Sequence, residues 1–138
     1  MNKADLQQLA RERIREAKIL LATKCWSGAY YLAGYAVECG LKAGIIAYLM
    51  KTDLFPERKF SEQCWTHNLE QLLAQAGLKA MFGADCAAIP ELNDNWETVV
   101  AWNESSRYAR TAKADAIGLF KAITDKKHGV YSWIKAHW

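Results

Sequence analysis

Residues Trp26–Met50 read WSGAYYLAGYAVECGLKAGIIAYLM, and this stretch decides the fold of the chain. It carries only two charged residues, Glu38 and Lys42, which are four positions apart and therefore share one face of a helix. Glutamate before lysine is the favourable order for such a pair. The other residues are apolar on nearly every side, which predicts a helix buried in the protein core. This helix is expected from about Gly28 to Lys51, with Ser27 as its N-cap.

The Glu38–Lys42 pair has two interpretations. It is either a buried or interfacial salt bridge that fixes helix register, or part of a functional groove. In the groove interpretation, Tyr31 and Tyr35 project to the same side, so the candidate groove or dimer-interface residues are Tyr31, Tyr35, Glu38 and Lys42. In the salt-bridge interpretation, Lys42→Met strands Glu38 in an apolar setting and is expected to destabilise the protein by about 3–5 kcal/mol.

Four glycines recur within the same helix, at Gly28, Gly34, Gly40 and Gly44. Each destabilises a helix by up to about 1 kcal/mol relative to alanine. Either neighbouring helices approach closely at these positions, or a well-packed helix simply tolerates them.

The remaining segments predict an all-α fold, an antiparallel up-and-down bundle of four to five helices. No segment alternates apolar and polar residues over the length of a strand, so no sheet is expected. Loops are predicted at Thr52–Gln63 and Asn103–Thr111, and irregular structure or a short turn at Leu78–Ile89. The other helices are predicted at Ala4–Thr23, at His67–Ala76 with Thr66 and Gly77 as caps, at Glu91–Trp102 after Pro90, and at Lys113–Ala136 with a weak point at Gly129.

Composition indicates one soluble globular domain spanning residues 1–138. The chain is 51% hydrophobic and 24% charged, and it is long enough to fold without a disulfide or a metal. The net charge of +3 permits contact with nucleic acid but argues for it only weakly. The four cysteines form no CxxC motif and no zinc-type cluster. We therefore expect free buried thiols, no metal or other cofactor, and a reducing, cytoplasmic location.

Two further features bear on location. The N-terminal segment is polar and charged and lacks the pattern of a signal peptide. The longest uncharged run of the apolar stretch, Trp26–Val37, is shorter than the about 20 residues that a membrane-spanning helix needs. No contact with a membrane is expected.

A basic and aromatic loop precedes the last predicted helix. Arg107, Tyr108, Arg110 and Lys113 are candidate ligand-binding residues, because arginine binds phosphate in a planar geometry and tyrosine stacks on bases. The alternative is a solvated loop in which Tyr108 packs on the bundle. His67, at a helix start, is interpreted as a capping or packing residue rather than a base. No glycine-rich phosphate loop, GxSxG or HExxH motif occurs, so no residue is assigned as catalytic.

Two segments carry a resemblance that extends over most of the chain, from about Leu9 to His137. AVECGLKA (Ala36–Ala43) is similar to the A-E-x-x-LKA segment of the HEPN domain family, and Thr66–Leu69 resembles the family's HDL helix start. A Trp before an Arg-Tyr dipeptide and a last helix closing in VYSWIKAH complete the pattern. The resemblance implies an all-α bundle that is usually a homodimer and often partners a small nucleotidyltransferase.

Many HEPN proteins are ribonucleases, including toxins of toxin–antitoxin pairs, and use an Arg and a His separated by four to six residues. In those enzymes the Arg binds or polarises the phosphate and the His acts at the 2′-hydroxyl. None of the residues five to seven positions before His67, His128 or His137 is Arg, so this chain lacks the motif. The first hypothesis is therefore a non-catalytic module that dimerises through the long second helix and binds a nucleotide, RNA or the nucleotidyltransferase through the basic loop. The alternatives are a divergent ribonuclease that uses Arg107 with a nonstandard partner, and a helical scaffold without a ligand.

Overall fold

Every regular element of the protein is helical. The computed structural model describes residues 1–138 and contains no strand, so the all-α prediction is confirmed. Eight α-helices replace the four to five expected, because short helices form in segments predicted as loops and the last helix is interrupted. The elements are α1 (Lys3–Ala22), α2 (Trp26–Thr52), α3 (Arg58–Cys64), α4 (Leu69–Gln75), α5 (Lys79–Ala88), α6 (Pro90–Val100), a 3₁₀ helix (Glu104–Tyr108), α7 (Lys113–Thr124) and α8 (Val130–Lys135).

Helix α1 begins with a reciprocal cap and packs along α2. The Asn2 side chain accepts a hydrogen bond from the Asp5 backbone N–H at 2.9 Å, and the Asp5 carboxylate accepts one from the Asn2 N–H at 3.0 Å. Both otherwise unpaired donors at the helix start are thereby satisfied. The buried residues of α1 are the small Ala10 and Ala17, which allow its backbone to lie close to α2.

Helix α2 is the centre of the bundle, as its sequence predicts. It contacts α1, α4, α7, α8 and the 3₁₀ helix. Its glycines lie where neighbours approach closely, so that interpretation is confirmed. A Cβ at Gly34 would overlap the Trp102 indole, and a Cβ at Gly28 or Gly40 would lie 3.2 Å from the side chain of Leu20 or Ile134.

Length and composition alone would also allow α2 to cross a membrane. Its most apolar window of 18 residues has a mean hydropathy of 1.3, and 61% of that window is buried inside the protein. A helix that is enclosed by its own chain has little surface left for lipid. The fold therefore contains no clear membrane span.

Helix α5 occupies the segment predicted to be irregular. Its anchor is Phe82, which is 3% exposed and packs edge-on against Trp96 and Trp133, with ring centroids 5.0 and 4.8 Å away. These partners lie in α6 and α8, far along the chain. Tertiary packing, rather than a periodic pattern within the segment, stabilises this helix.

The predicted last helix is divided between α7 and α8. The Asp125 carboxylate accepts hydrogen bonds from the backbone N–H groups of Lys127 and His128, at 3.2 and 2.7 Å. These bonds form a turn in place of the helical pattern. Gly129 then caps α8, and a Cβ there would collide with the backbone carbonyls of Asp125 and Ile123. The weak point at Gly129 is thus a real interruption.

Two predicted N-caps are each wrong by two residues. Helix α2 begins at Trp26 with Cys25 before it, so Ser27 lies inside the first turn. Helix α4 begins at Leu69, and the Asn68 side chain caps it by accepting from the Gln71 N–H at 2.9 Å. The predicted stop at Gly77 agrees with the structure, where this residue has a φ of +70°, a conformation that favours glycine.

Candidate functional site

Glu38 is the only charged residue in the core, with 1% of its surface exposed. Lys42, one turn further along α2, donates a hydrogen bond from Nζ to Glu38 Oε1 at 2.8 Å. The Nδ1 atom of His67 lies 3.0 Å from each of the two carboxylate oxygens. The Glu38–Lys42 ion pair inferred from the sequence is therefore present, and His67 is a second partner that sequence reasoning missed.

The contact with Glu38 also orients His67. A carboxylate only accepts hydrogen bonds, so Nδ1 carries the proton and Nε2 is left without a protein partner. The His67 side chain is 52% exposed and lines a cleft of about 400 Å³. Its interpretation as a helix cap is wrong, because Asn68 caps α4. The other polar residues that line this cleft are Thr66, Asn68, Glu70, Asn103 and Glu104.

An aromatic strip runs along α2 toward its N-terminal end. It consists of Tyr31, Tyr35, Trp102 and Tyr108. The Tyr31 ring stacks on Tyr35 with centroids 6.2 Å apart and planes 7° from parallel, and on Trp102 with centroids 6.1 Å apart. Trp102 is buried, whereas Tyr31 and Tyr35 are half-buried and keep part of their surface open to solvent.

Arg107 joins this strip from the 3₁₀ helix. Its guanidinium carbon lies 4.8 Å from the centroid of the Tyr108 ring. The neighbouring Tyr108, and to a smaller extent Tyr31, raise the pKa of Arg107 above its ordinary value. Tyr108 is 81% exposed, so it does not pack on the bundle, while the segment around it is solvated as the alternative interpretation expected. Arginine and tyrosine therefore present a charge and a ring face together at the surface.

The chain continues from Arg107 along the first turns of α2. The Thr111 backbone N–H donates to the Ser27 hydroxyl at 2.9 Å, and Lys113 Nζ lies 5.7 Å from the Trp26 ring centroid. Arg110, which directly precedes these two anchors, is exposed and has no ion-pair partner. One segment, Arg107–Lys113, thus carries all four candidate ligand-binding residues past the N-terminal end of α2.

The candidate groove residues of α2 share one face but differ in accessibility. The helical rise places Tyr31 and Lys42 about 16 Å apart, with Tyr35 and Glu38 between them. Glu38 is enclosed within the single chain, while the Lys42 side chain retains 27% of its exposure. Burial, more than any other cause, raises the pKa of Tyr35. This face therefore exposes tyrosines and a lysine and keeps its carboxylate internal.

The four cysteines are free, as expected from the sequence. The expectation that all four are buried is wrong. Cys39 is buried, Cys64 and Cys86 are half-buried, and Cys25 is exposed. Burial raises the pKa of the Cys39 thiol to about 11, with the neighbouring Glu38 charge adding to the effect. A thiol that stays protonated at neutral pH is a poor nucleophile. Cys39 therefore acts as a buried packing residue beside the aromatic strip.

The arrangement offers cationic and stacking groups together with one oriented imidazole. No group of three or more His, Cys, Asp or Glu side chains lies in a position to hold a metal ion. Comparison with protein-family models, with curated proteins and with solved structures finds no match to this chain.

Proposed function

We propose that this chain is a HEPN-like binding module that associates with a nucleotide or RNA through the segment Arg107–Lys113 and the aromatic strip. The observation that carries the proposal is the exposed Arg107 guanidinium, which lies 4.8 Å from the centroid of the Tyr108 ring. Guanidinium groups bind phosphate through paired hydrogen bonds, and aromatic faces stack on bases of any sequence. A nucleotide has both a phosphate and a base, so Arg107 can bind its phosphate while a neighbouring aromatic ring stacks on its base.

The start of α2 adds to the attraction for phosphate. The first N–H groups of any helix lack partners within it, and they form the positive end of the helix dipole. The first turn of α2 has no acidic residue, and Cys25 makes no side-chain cap there. Lys113 lies over Trp26 at this same end. An anion near the segment Arg107–Lys113 would therefore meet a helix terminus as well as basic side chains.

The resemblance to HEPN domains extends the proposal to partners and location. The module acts as a cytoplasmic homodimer and partners a small nucleotidyltransferase. The absence of the Arg–His ribonuclease motif is the reason to assign it a binding role rather than catalysis.

Replacing Arg107 by alanine is expected to weaken RNA binding by about tenfold or more, because a charge-assisted hydrogen bond to phosphate contributes about 1.5–3 kcal/mol. The measurement is fluorescence anisotropy of a labelled single-stranded RNA, repeated over a series of salt concentrations. The loss of one phosphate contact should also reduce the slope of log affinity against log salt by about one. Arg15→Ala is the matched control, since Arg15 is exposed on α1, has the same charge and makes no ion pair.

The outcome of this titration decides the proposal. Equal affinities for Arg107→Ala and the native chain would show that the segment does not bind RNA. No saturable binding of RNA or ATP to the native chain, and no rise in its melting temperature with either, would favour the scaffold alternative.

The oriented imidazole favours a second candidate, a divergent ribonuclease in which His67 is the nonstandard partner of Arg107. A carboxylate that holds Nδ1 and leaves Nε2 free is an arrangement typical of a general base. Cleavage of RNA that is lost in both Arg107→Ala and His67→Ala would favour this candidate. Binding without cleavage would favour the non-catalytic module.

A further inference from the structure

An apolar groove lies on a different part of the surface, where α1, α2 and α3 meet. It encloses about 270 Å³ and is lined mainly by apolar side chains, among them Leu6, Ile45, Ile46, Leu49 and Phe60. Lys42 also lines the groove, and its amine donates a hydrogen bond to Glu38 at 2.8 Å. The one cation of the groove wall is therefore paired within the chain.

Large side chains stand exposed beside this groove. Phe55 is 96% exposed, Trp65 is 84% exposed and Leu54 is 71% exposed. Trp65 itself lines the groove, and Phe55 precedes Pro56, which also lines it. Contiguous apolar surface of this kind on a soluble chain marks an interaction site.

We propose that this groove and its exposed aromatic residues form the twofold interface between two copies of the chain. The inference names the contact surface of the proposed homodimer and rests on that part of the proposed function. An interface of this symmetry uses the same patch on both partners, so the patch must contain both a protruding group and a cavity to receive it. Phe55 and Trp65 protrude beside a cavity that is large enough for an aromatic ring, since about 150 Å³ already holds benzene.

The size of the patch agrees with this assignment. An aromatic side chain buries about 150–250 Å² when it is fully enclosed, so Phe55 and Trp65 together would bury about 300–500 Å². A stable interface of standard size buries about 800 Å² on each partner. Two side chains would therefore supply roughly half of that area, and Leu54 and the groove walls lie next to them.

Charges at the rim suit a second copy better than a nucleic acid. Helix α3 has Arg58 and Lys59 at its start and Glu62 near its end, and Arg58 and Glu62 form an exposed ion pair at 2.8 Å along the helix. Two such helices that run antiparallel across a twofold axis would place the basic end of one beside the acidic end of the other. A surface of single positive sign would instead favour a polyanion and repel another copy.

The test is the dimer dissociation constant of Phe55→Ser, Trp65→Ser and the double variant, measured by sedimentation and light scattering over a range of concentrations. Each single change is expected to raise the constant by about 10- to 100-fold, as loss of a central aromatic contact typically does. Both side chains are almost fully exposed in the single chain, so the variants should fold normally, which circular dichroism would verify. Met81→Ser is the matched control, because Met81 is 50% exposed on α5 and does not line the groove.

The outcomes separate this inference from the rest of the proposed function. A native dimer that is unaffected by the double variant would place the interface elsewhere and overturn the inference alone. A native chain that stays monomeric at high concentration would overturn both the inference and the proposed homodimer. RNA affinity is measured on the same interface variants and on Arg107→Ala. If only Arg107→Ala loses RNA binding, the binding proposal stands whether the interface is confirmed or overturned.

Discussion

The double variant Lys42→Met/His67→Phe is expected to be destabilised by about 3–5 kcal/mol, because it removes both partners of a buried carboxylate. Glu38 is 1% exposed and sits in the most apolar helix of the chain, so solvent cannot replace the lost hydrogen bonds. Both replacements keep an apolar body of similar size, which limits the cavity that they create. Urea unfolding monitored by circular dichroism gives the free energy of unfolding.

The single variants are expected to have much smaller effects, about 1 kcal/mol each, because one partner of Glu38 remains in each of them. This revises the expectation from the sequence, where Lys42→Met alone was to strand the carboxylate. The structure provides His67 as a second donor, 3.0 Å from both oxygens. The loss in the double variant should therefore exceed the sum of the two single losses, which is the mark of residues that act on one group.

A third substitution distinguishes destabilisation by the unpaired Glu38 charge from destabilisation by altered packing. Glu38→Met, added to the double variant, is expected to recover most of the lost stability, since apolar replacements of a complete buried ion cluster are often neutral or stabilising. A triple variant as unstable as the double variant would contradict the electrostatic explanation and point to disrupted packing of α2 against α4.

The Glu38 cluster also shows what the sequence could and could not predict. The pairing with Lys42 follows from a spacing of four residues within one helix, which is local information. His67 lies 29 positions from Glu38, and its approach depends on how α4 packs against α2. The only signal for it was that a fully buried carboxylate needs more than one donor.

The same contrast between local sequence information and tertiary contacts explains which helices could be predicted. The all-α class and the central position of α2 follow from periodicity, which every segment carries within itself. Helix α5 depends on Phe82 meeting Trp96 and Trp133, partners that no local pattern identifies. Charge and aromatic content identified the segment Arg107–Lys113 from the sequence. Its attachment to the start of α2 through the Thr111–Ser27 hydrogen bond emerged only from the fold.

Gly34→Ala is expected to destabilise the protein by about 3 kcal/mol, the opposite of the usual effect of alanine in a helix. Alanine normally stabilises a helix relative to glycine by up to about 1 kcal/mol. At Gly34, however, the added Cβ would overlap the face of the Trp102 indole. Trp102 is 3% exposed and stacks on Tyr31, so a shift of the indole away from α2 would disrupt that packing. Overpacking of this kind forces neighbouring side chains or the backbone to shift.

Gly118→Ala is the matched control, because Gly118 lies inside α7 and no atom lies within 4 Å of a Cβ built there. This control should gain about 0.5–1 kcal/mol in the free energy of unfolding, so the two alanines should change stability in opposite directions. Trp102→Phe, introduced with Gly34→Ala, should recover part of the loss because the smaller ring vacates the overlapping space. If Gly34→Ala instead unfolds at the same urea concentration as the native chain, the indole can move without loss. That result would show that the close approach of Trp102 to α2 does not require a glycine at position 34.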